Sequence, residues 1–282
     1  EDISKENISD YKIPRTKFRI GTDKSKYLSN VNSILTDIRN GRYYELNYCI
    51  DFKTENADFD PVQTFLKISE SALSPMSSLV KYQDQWILSF SPERLACLRG
   101  DKLISQPIKG TAKRDLNNSA KDFQRKDELK NSKKERAENI MIVDLVRHDM
   151  TTYALTGSIL VEELCKVYSF PFVHQMISTT SAQLKSKEQA KQALLELLPA
   201  GSMTGAPKLE VTKGISEYEN SSRGLYAGNI GYFEPNGDFD FNVVIRSLFY
   251  NSSKNKACLN VGGAITLLSD PEKEYEECLL KA

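Results

Sequence analysis

Ser78-Leu79-Val80-Lys81-Tyr82-Gln83-Asp84-Gln85-Trp86-Ile87-Leu88-Ser89-Phe90-Ser91 is the stretch whose reading decides the fold class. Two strand-like runs, Ser78 to Tyr82 and Trp86 to Ser91, flank the polar link Gln83-Asp84-Gln85. So short a link turns the chain straight back as a hairpin, whereas a parallel pair needs a crossover of about a dozen residues or more. Working outward, Tyr43 to Phe52, Lys102 to Ile108, Ser158 to Glu163, Gly228 to Phe233, Phe239 to Phe249 and Ala257 to Val261 also read as strands. Helices are predicted over Lys24 to Arg39, Pro61 to Ala72, Lys133 to Asp149, Lys187 to Leu197, Pro207 to Tyr218 and Pro271 to Ala282. In the first, Tyr27, Leu28, Val31, Ile34, Leu35 and Ile38 keep a helical period, and Asn40-Gly41 stops it. In the third, Ala137, Ile140, Met141, Asp144 and Leu145 fall on one side. Thr111 to Lys134 is highly charged and reads as a solvated loop and helix. Strands at hairpin spacing with helices interspersed predict an α+β domain with mainly antiparallel sheet, not a βαβ repeat. Residues 1–23 read as a polar tail or linker and 24–282 as one domain.

The 38 Lys+Arg and 38 Asp+Glu cancel, so the chain has no overall positive surplus with which to meet nucleic-acid phosphates. Its 40% hydrophobic and 27% charged content is that of a folded globular chain and argues against extended disorder. No apolar run approaches the roughly 18–20 residues that span a bilayer. The opening Glu1-Asp2-Ile3-Ser4-Lys5 carries no signal peptide, so no membrane partner and a cytoplasmic location are expected. Cys49, Cys97, Cys165, Cys258 and Cys278 are odd in number and contain no C-x-x-C pair, which predicts buried free thiols and no zinc site.

Two acidic pairs share one spacing, Glu135 with Glu138 and Glu274 with Glu277. On a helix, residues three apart face one way, so each pair presents two carboxylates together. Oxygen-only sets suit Mg²⁺ or Ca²⁺, although either pair alone is also what a solvated acidic face looks like. Asp144 and Asp149 lie on the same helix as the first pair. Gly201-Ser202-Met203-Thr204-Gly205-Ala206-Pro207-Lys208, between two helices, and Gly262-Gly263-Ala264, after a strand, can aim backbone N–H groups at an anion. Neither has the spacing of a P-loop or a dinucleotide fingerprint. Lys109 and Arg246 sit near strand ends, where an arginine fork can grip a carboxylate.

These segments, in order, resemble the chorismate-utilising enzymes, the family of anthranilate synthase component I, aminodeoxychorismate synthase component I and the isochorismate and salicylate synthases. The resemblance is carried by Ser91-Pro92-Glu93-Arg94, Pro107-Ile108-Lys109-Gly110-Thr111, Lys134-Glu135-Arg136-Ala137-Glu138-Asn139 and Val143 to Asp149. It continues through Pro199 to Lys208, Gly228-Asn229-Ile230-Gly231-Tyr232, Val244-Ile245-Arg246-Ser247, Gly262-Gly263, Asp270 to Glu277 and Lys281. It implies two stacked antiparallel sheets with helices packed outside, an α/β/β/α arrangement, without the amino-terminal portion usual in the family. Lys109 stands where anthranilate, isochorismate and salicylate synthases usually have Ala and the aminodeoxychorismate synthases have Lys. The implied activity is amination of chorismate at C4, on the route to 4-aminobenzoate and folate. Lys109 is then a covalent nucleophile at C2, and Glu93 the general acid for the departing hydroxyl. To attack, Lys109 must be neutral, and a dry site beside Mg²⁺ and an arginine is expected to lower its pKa.

The resemblance also implies Glu138 and Glu277 as Mg²⁺ ligands, backed by Glu135 and Glu274. Arg246 and Tyr232 would hold the enolpyruvyl carboxylate, and Thr204, Gly205, Gly262, Gly263, Lys281 and Thr111 would line the substrate pocket. Three positions depart from the common pattern. Glu45 replaces the usual Gln, and not the water-activating Lys of isochorismate-forming members. Gln175 stands where most relatives have His, with His174 one residue earlier. His148 replaces Asn beside Asp149. No cysteine is Gly-flanked as in a glutaminase, so ammonia is expected from a glutamine amidotransferase subunit or fused domain. The alternatives are anthranilate synthase component I, which also releases pyruvate, and a non-catalytic subunit that binds a glutaminase.

Overall fold

A computed structural model describes residues 11–282; the first ten residues of the expected tail lie outside the described residues. The chain runs β1 (Arg19–Ile20), α1 (Lys24–Arg39), β2 (Glu45–Thr54), α2 (Pro61–Ala72), β3 (Met76–Tyr82), β4 (Gln85–Ser91), β5 (Arg94–Arg99), β6 (Lys102–Gln106) and β7 (Ile108–Lys113). Next come α3 (Ser119–Asn131), α4 (Lys133–Met150), β8 (Leu160–Ser169), β9 (Val173–Gln183), α5 (Ala190–Glu196), β10 (Gly205–Ala206) and α6 (Lys208–Tyr218). It ends with β11 (Gly231–Phe233), β12 (Phe239–Asn242), β13 (Ser247–Asn251), β14 (Lys256–Thr266) and α7 (Pro271–Lys281).

The strands form two seven-stranded sheets, as the α+β reading expected. The first has the order β1-β2-β14-β13-β4-β3 with β10 added to β2, and the second β11-β12-β5-β6-β9-β7 with β8 added to β9. Every pairing in the hairpin that opened the sequence reading is antiparallel, from Met76 opposite Ser91 to Tyr82 opposite Gln85.

Helix starts follow from capping. Asp23 accepts the Lys26 N–H at 2.9 Å ahead of α1, and Ser132 accepts the Glu135 N–H at 3.3 Å ahead of α4. Asp270 accepts the Lys273 N–H at 3.1 Å ahead of α7, whose first residue is Pro271. Tyr27, Val31 and Ile34 of α1 pack with Tyr275 and Cys278 of α7, Val211 of α6, and Leu46 and Tyr48 of β2. Ile142, Val146 and Met150 of α4 and Ala193 and Leu194 of α5 pack with Leu98, Leu103, Ala182 and Phe239 of the second sheet and Cys49 of the first. The acidic ends of α4 and α7 are thereby anchored by their own apolar stripes.

Several expectations are corrected. Phe239 to Phe249 is not one strand: β12 belongs to the second sheet and β13 to the first, and the chain crosses between them through Arg246 at φ 51°. Apolar residues recur at every second position from Phe239 to Ile245 and Arg246 falls in step with the intervening positions, so the pattern contains no mark of the crossing. Pro107, which has no N–H to give a ladder, divides the expected Lys102–Ile108 strand into β6 and β7. The charged Thr111 to Lys134 stretch begins as the end of β7. β5 and β9 were not expected. In β9 the hydroxyl run Ser178, Thr179, Thr180 and Ser181 is wholly buried, so it lacks the alternation that marks a strand. The buried side of α4 is Glu138, Asn139, Ile142, Val143, Val146 and Met150, while Ala137, Ile140 and Asp144 face solvent. All five cysteines are free, and all but the half-buried Cys258 are buried. Among the described residues no helix is long and apolar enough to cross a membrane.

Candidate active site

Lys109 owes its position to a bulge. Opposite β9 the register of β7 slips between Ile108 and Thr111, and Gly110 between them takes φ 90°. A Cβ at Gly110 would stand 3.0 Å from Glu135 Oε2, so glycine both permits the turn and lets α4 approach. Lys109 is buried, and its Nζ donates to Glu45 Oε1 at 2.8 Å. Glu45 is wholly buried at the start of β2, where β10 lies against it. That approach needs Gly205, at φ 133°, because a Cβ there would fall 2.1 Å from the Glu45 carbonyl oxygen.

Glu93 occupies the link between β4 and β5 and is also buried. Ser202 Oγ donates to its Oε1 at 2.6 Å, and its backbone N–H donates to Ser91 Oγ at 3.2 Å. Asn47 ties the two acids together, donating to the Ser202 carbonyl at 2.8 Å and to Glu45 Oε1 at 3.4 Å. Burial pushes the Glu93 carboxyl up to about 7, against the lowering effect of the Ser202 bond and the Lys109 charge. A carboxyl at that value can give up a proton near neutrality. For Lys109 the expectation of a lowered pKa is reversed. Burial alone would lower it, but the Glu45, Glu138 and Glu93 carboxylates outweigh burial and hold the ammonium above its ordinary value.

The acidic pairs of α4 and α7 face each other. Lys134 Nζ lies between them, 2.9 Å from Glu274 Oε1 and 3.8 Å from Glu138 Oε1. Burial pushes Glu138 up to about 8, and its Oε1 has no hydrogen-bond partner. Burial likewise raises Glu135. Burial acts upward on Glu277 too, but Lys281 at 2.7 Å, with Lys134 and Arg246, brings it below the ordinary carboxylate value. Among the described residues no group of three or more His, Cys, Asp or Glu is disposed to hold a metal ion. Mg²⁺ needs only one or two carboxylates and completes its shell with water and substrate oxygens. The all-oxygen donor set and the orphaned, under-compensated Glu138 fit such an open site.

A cavity of about 570 Å³ adjoins this cluster, with Arg246, Lys281, Thr111 and Gln175 among its lining residues. Lys109, Glu93 and Glu138 do not line it; they are packed nearby. The Arg246 guanidinium is open to solvent yet surrounded by protein, so desolvation lowers its pKa, and no side-chain hydrogen bond or ion pair engages it among the described residues. Lys281 Nζ donates to the Gly262 carbonyl at 2.8 Å, and a Cβ on Gly263 would meet Glu274 Oε2 at 3.3 Å. Thr204 is buried beside β2, its Oγ1 donating to the Ala200 carbonyl at 3.1 Å.

Other predicted positions are not brought together. Tyr232 is exposed on β11 near Arg99, not at Arg246. Asp144 and His148 face solvent on α4, with Asp144 paired to Arg147. Asp149 is partly buried and ion-paired with Lys208 at 2.6 Å. Adjacent residues on β9 point to opposite faces: Gln175 enters the cavity with its Oε1 unpartnered, whereas His174 bonds Asp122 at 3.0 Å and Ser169 at 3.0 Å. Sequence reasoning missed Ser202, Asn47 and Lys134 as functional neighbours. Period-two spacing from Glu45 could have found Asn47, and helical adjacency to Glu135 could have found Lys134.

The family model described as "chorismate binding enzyme" matches residues 4–282. Aminodeoxychorismate synthase, chloroplastic, of Arabidopsis thaliana is 36% identical over 289 residues, covering 99% of this chain and 31% of that protein. Aminodeoxychorismate synthase component 1 of Escherichia coli (strain K12) is 34% identical over 270 residues, covering 94% of this chain and 59% of that protein. The chain thus spans less than two thirds of either relative. The crystal structure of anthranilate synthase component I from Streptococcus pneumoniae TIGR4 superposes with a TM-score of 0.87 at 28% identity, covering 97% of this chain and 60% of that one.

Proposed function

The chain belongs to the family of chorismate-binding enzymes, and from that premise we propose that it aminates chorismate at C4 with ammonia. The product is 4-amino-4-deoxychorismate, and the route leads to 4-aminobenzoate and folate. The observation that carries this reading is a buried primary amine, Lys109, within the electrostatic reach of a buried carboxyl, Glu93, pushed up to about 7. A nucleophile and an acid of that kind suit the replacement of an allylic hydroxyl in two displacements. Lys109 Nζ forms a bond to C2, both double bonds of the conjugated ring diene shift by one position, and the C4 hydroxyl leaves as water with the Glu93 proton. Ammonia then bonds to C4, both double bonds shift back, and Lys109 is expelled. The Glu93 carboxylate takes the proton that the new C4 ammonium sheds.

Arg246, exposed in the cavity without a protein partner, would grip one substrate carboxylate, with Lys281 and the Gly262-Gly263 turn beside it. Glu138 and Glu277, backed by Glu135 and Glu274, would hold Mg²⁺, which when bound supplies positive charge for the ring carboxylate. Ammonia would come from a glutamine amidotransferase subunit or fused domain. The test is incubation with chorismate, Mg²⁺ and either ammonium or glutamine, followed by product identification. A C4-aminated product that keeps its enolpyruvyl group, formed with ammonium alone, supports the reading. Fluorescent anthranilate with released pyruvate overturns the C4 assignment, and turnover of glutamine overturns the need for a partner.

A further inference from the structure

The two displacements leave Glu45 without a role, yet it is the acid that touches Lys109. Its side chain is wholly buried, and Oε1 receives the Lys109 ammonium at 2.8 Å. Oε2 is buried with no partner among the described residues, so as an anion this carboxylate is poorly solvated. An ammonium has no lone pair and must lose a proton before nitrogen can bond to carbon. Glu93 from the β4–β5 link and Glu135 and Glu138 from α4 act on Lys109 through space, but Glu45 is its sole ion-pair partner among the described residues.

We propose that Glu45 is the positioning residue that accepts the Lys109 proton during attack and returns it on departure. This inference rests on the reading of Lys109 as nucleophile. The proton passes along the 2.8 Å hydrogen bond from Nζ to Oε1, leaving a neutral amine beside a carboxylic acid. Nζ bonds to C2 as the C4–O bond breaks and water leaves with the Glu93 proton, and the adduct nitrogen is a secondary ammonium. When ammonia bonds to C4, the N–C2 bond breaks, Lys109 leaves as a neutral amine and Glu45 restores its proton. Overall, chorismate and ammonia give the amine and water, with each protein group back in its starting state.

This arrangement has a kinetic signature. The ion pair and the neutral pair hold the same number of protons, so their ratio does not change with pH. In Glu45→Gln the lysine proton must go to solvent, and the reactive fraction then rises about tenfold per pH unit below the lysine pKa. The experiment is kcat/KM for chorismate amination by wild type and E45Q across about pH 6 to 8, taken as a ratio at each pH. The ratio cancels ammonium ionisation and the shared Glu93 limb. The expected ratio of wild type to variant falls with rising pH, by about tenfold per unit wherever the pH lies below the variant's lysine pKa. A ratio that stays constant overturns the proposal. Should E45Q not fold, as judged by circular dichroism, Glu45→Asp carries the test. It keeps an acceptor, so its rate is expected to fall by the same factor at every pH, and a pH-dependent ratio to wild type overturns the proposal. Absence of C4-aminated product from wild type would defeat the functional reading itself, whereas amination with a flat E45Q ratio defeats only the role of Glu45.

Discussion

Replacing Ser202 by alanine should raise the pH at which the enzyme loses its general acid. Ser202 Oγ donates to Glu93 Oε1 at 2.6 Å, and that bond favours the ionised carboxylate. A hydrogen bond to a charged group contributes about 1.5–3 kcal/mol, and each pKa unit corresponds to about 1.36 kcal/mol, so its loss should move Glu93 up by roughly one to two units. Glu93 acts in its protonated form, so activity falls as pH rises through its pKa. The alkaline limb of kcat/KM should therefore begin near about 7 in wild type and lie one to two units, roughly, higher in S202A. The assay follows C4-aminated product by mass while the concentration of free ammonia is held constant across the pH series. On the acidic plateau the two proteins should differ little, and at about pH 8 the variant should retain more of its plateau rate. A limb that stays in place or moves to lower pH would refute the assignment of Glu93 as the acid or of Ser202 as its tuner.

In the metal-free protein, Glu93 and Glu138 stand above their unfolded values, at about 7 and about 8. The stability tied to their protonated forms is present below the unfolded carboxylate pKa and is lost as pH rises through the folded values. Melting curves should show Tm falling over that range, and Mg²⁺ should restore more of it at the alkaline end in wild type than in Glu138→Gln. At a hundredfold excess over Kd the gain should be about 2.7 kcal/mol, or roughly 5–10 °C. Arg246→Ala should raise KM for chorismate about 10- to 100-fold. Its Tm should barely change, because no protein carboxylate is left unpaired. Gly205→Ala should destabilise the protein by at least about 1 kcal/mol, because φ 133° and a Cβ 2.1 Å from the Glu45 carbonyl both oppose it. Denaturant unfolding gives that number, and an unchanged midpoint would contradict the close packing of β10 on β2.

The parts of the fold legible in sequence were those whose signals are local. The Ser78–Ser91 hairpin and helices α1 and α2 carry periodicity, caps or a short polar turn within their own residues. β9 was illegible because its serines and threonines are buried, most with partners inside the fold, as when Ser181 donates to Glu162 at 2.6 Å. The crossing at Arg246 was hidden because apolar residues continue on both sides of it. At the site, spacing alone could pair Glu135 with Glu138 and Glu274 with Glu277, but only the family resemblance linked the two helices. The Glu45–Lys109 bond joins residues 64 positions apart, and no periodicity reaches that far. Tyr232 shows the opposite case: a motif position carried over by resemblance that the fold turns toward Arg99.

The central claim is that Lys109 is the nucleophile for C4 amination, and a side-by-side turnover of wild type and Lys109→Ala with chorismate, Mg²⁺ and ammonium tests it most directly. Removing Lys109 alone leaves Glu45 buried without its cation, so the double variant Lys109→Ala, Glu45→Gln serves as the folding control. With products identified by mass, wild type should yield chorismate with its C4 hydroxyl replaced by an amino group, and both variants should lose that product by at least about 100-fold. Undiminished C4 amination by a folded Lys109→Ala protein would contradict the account.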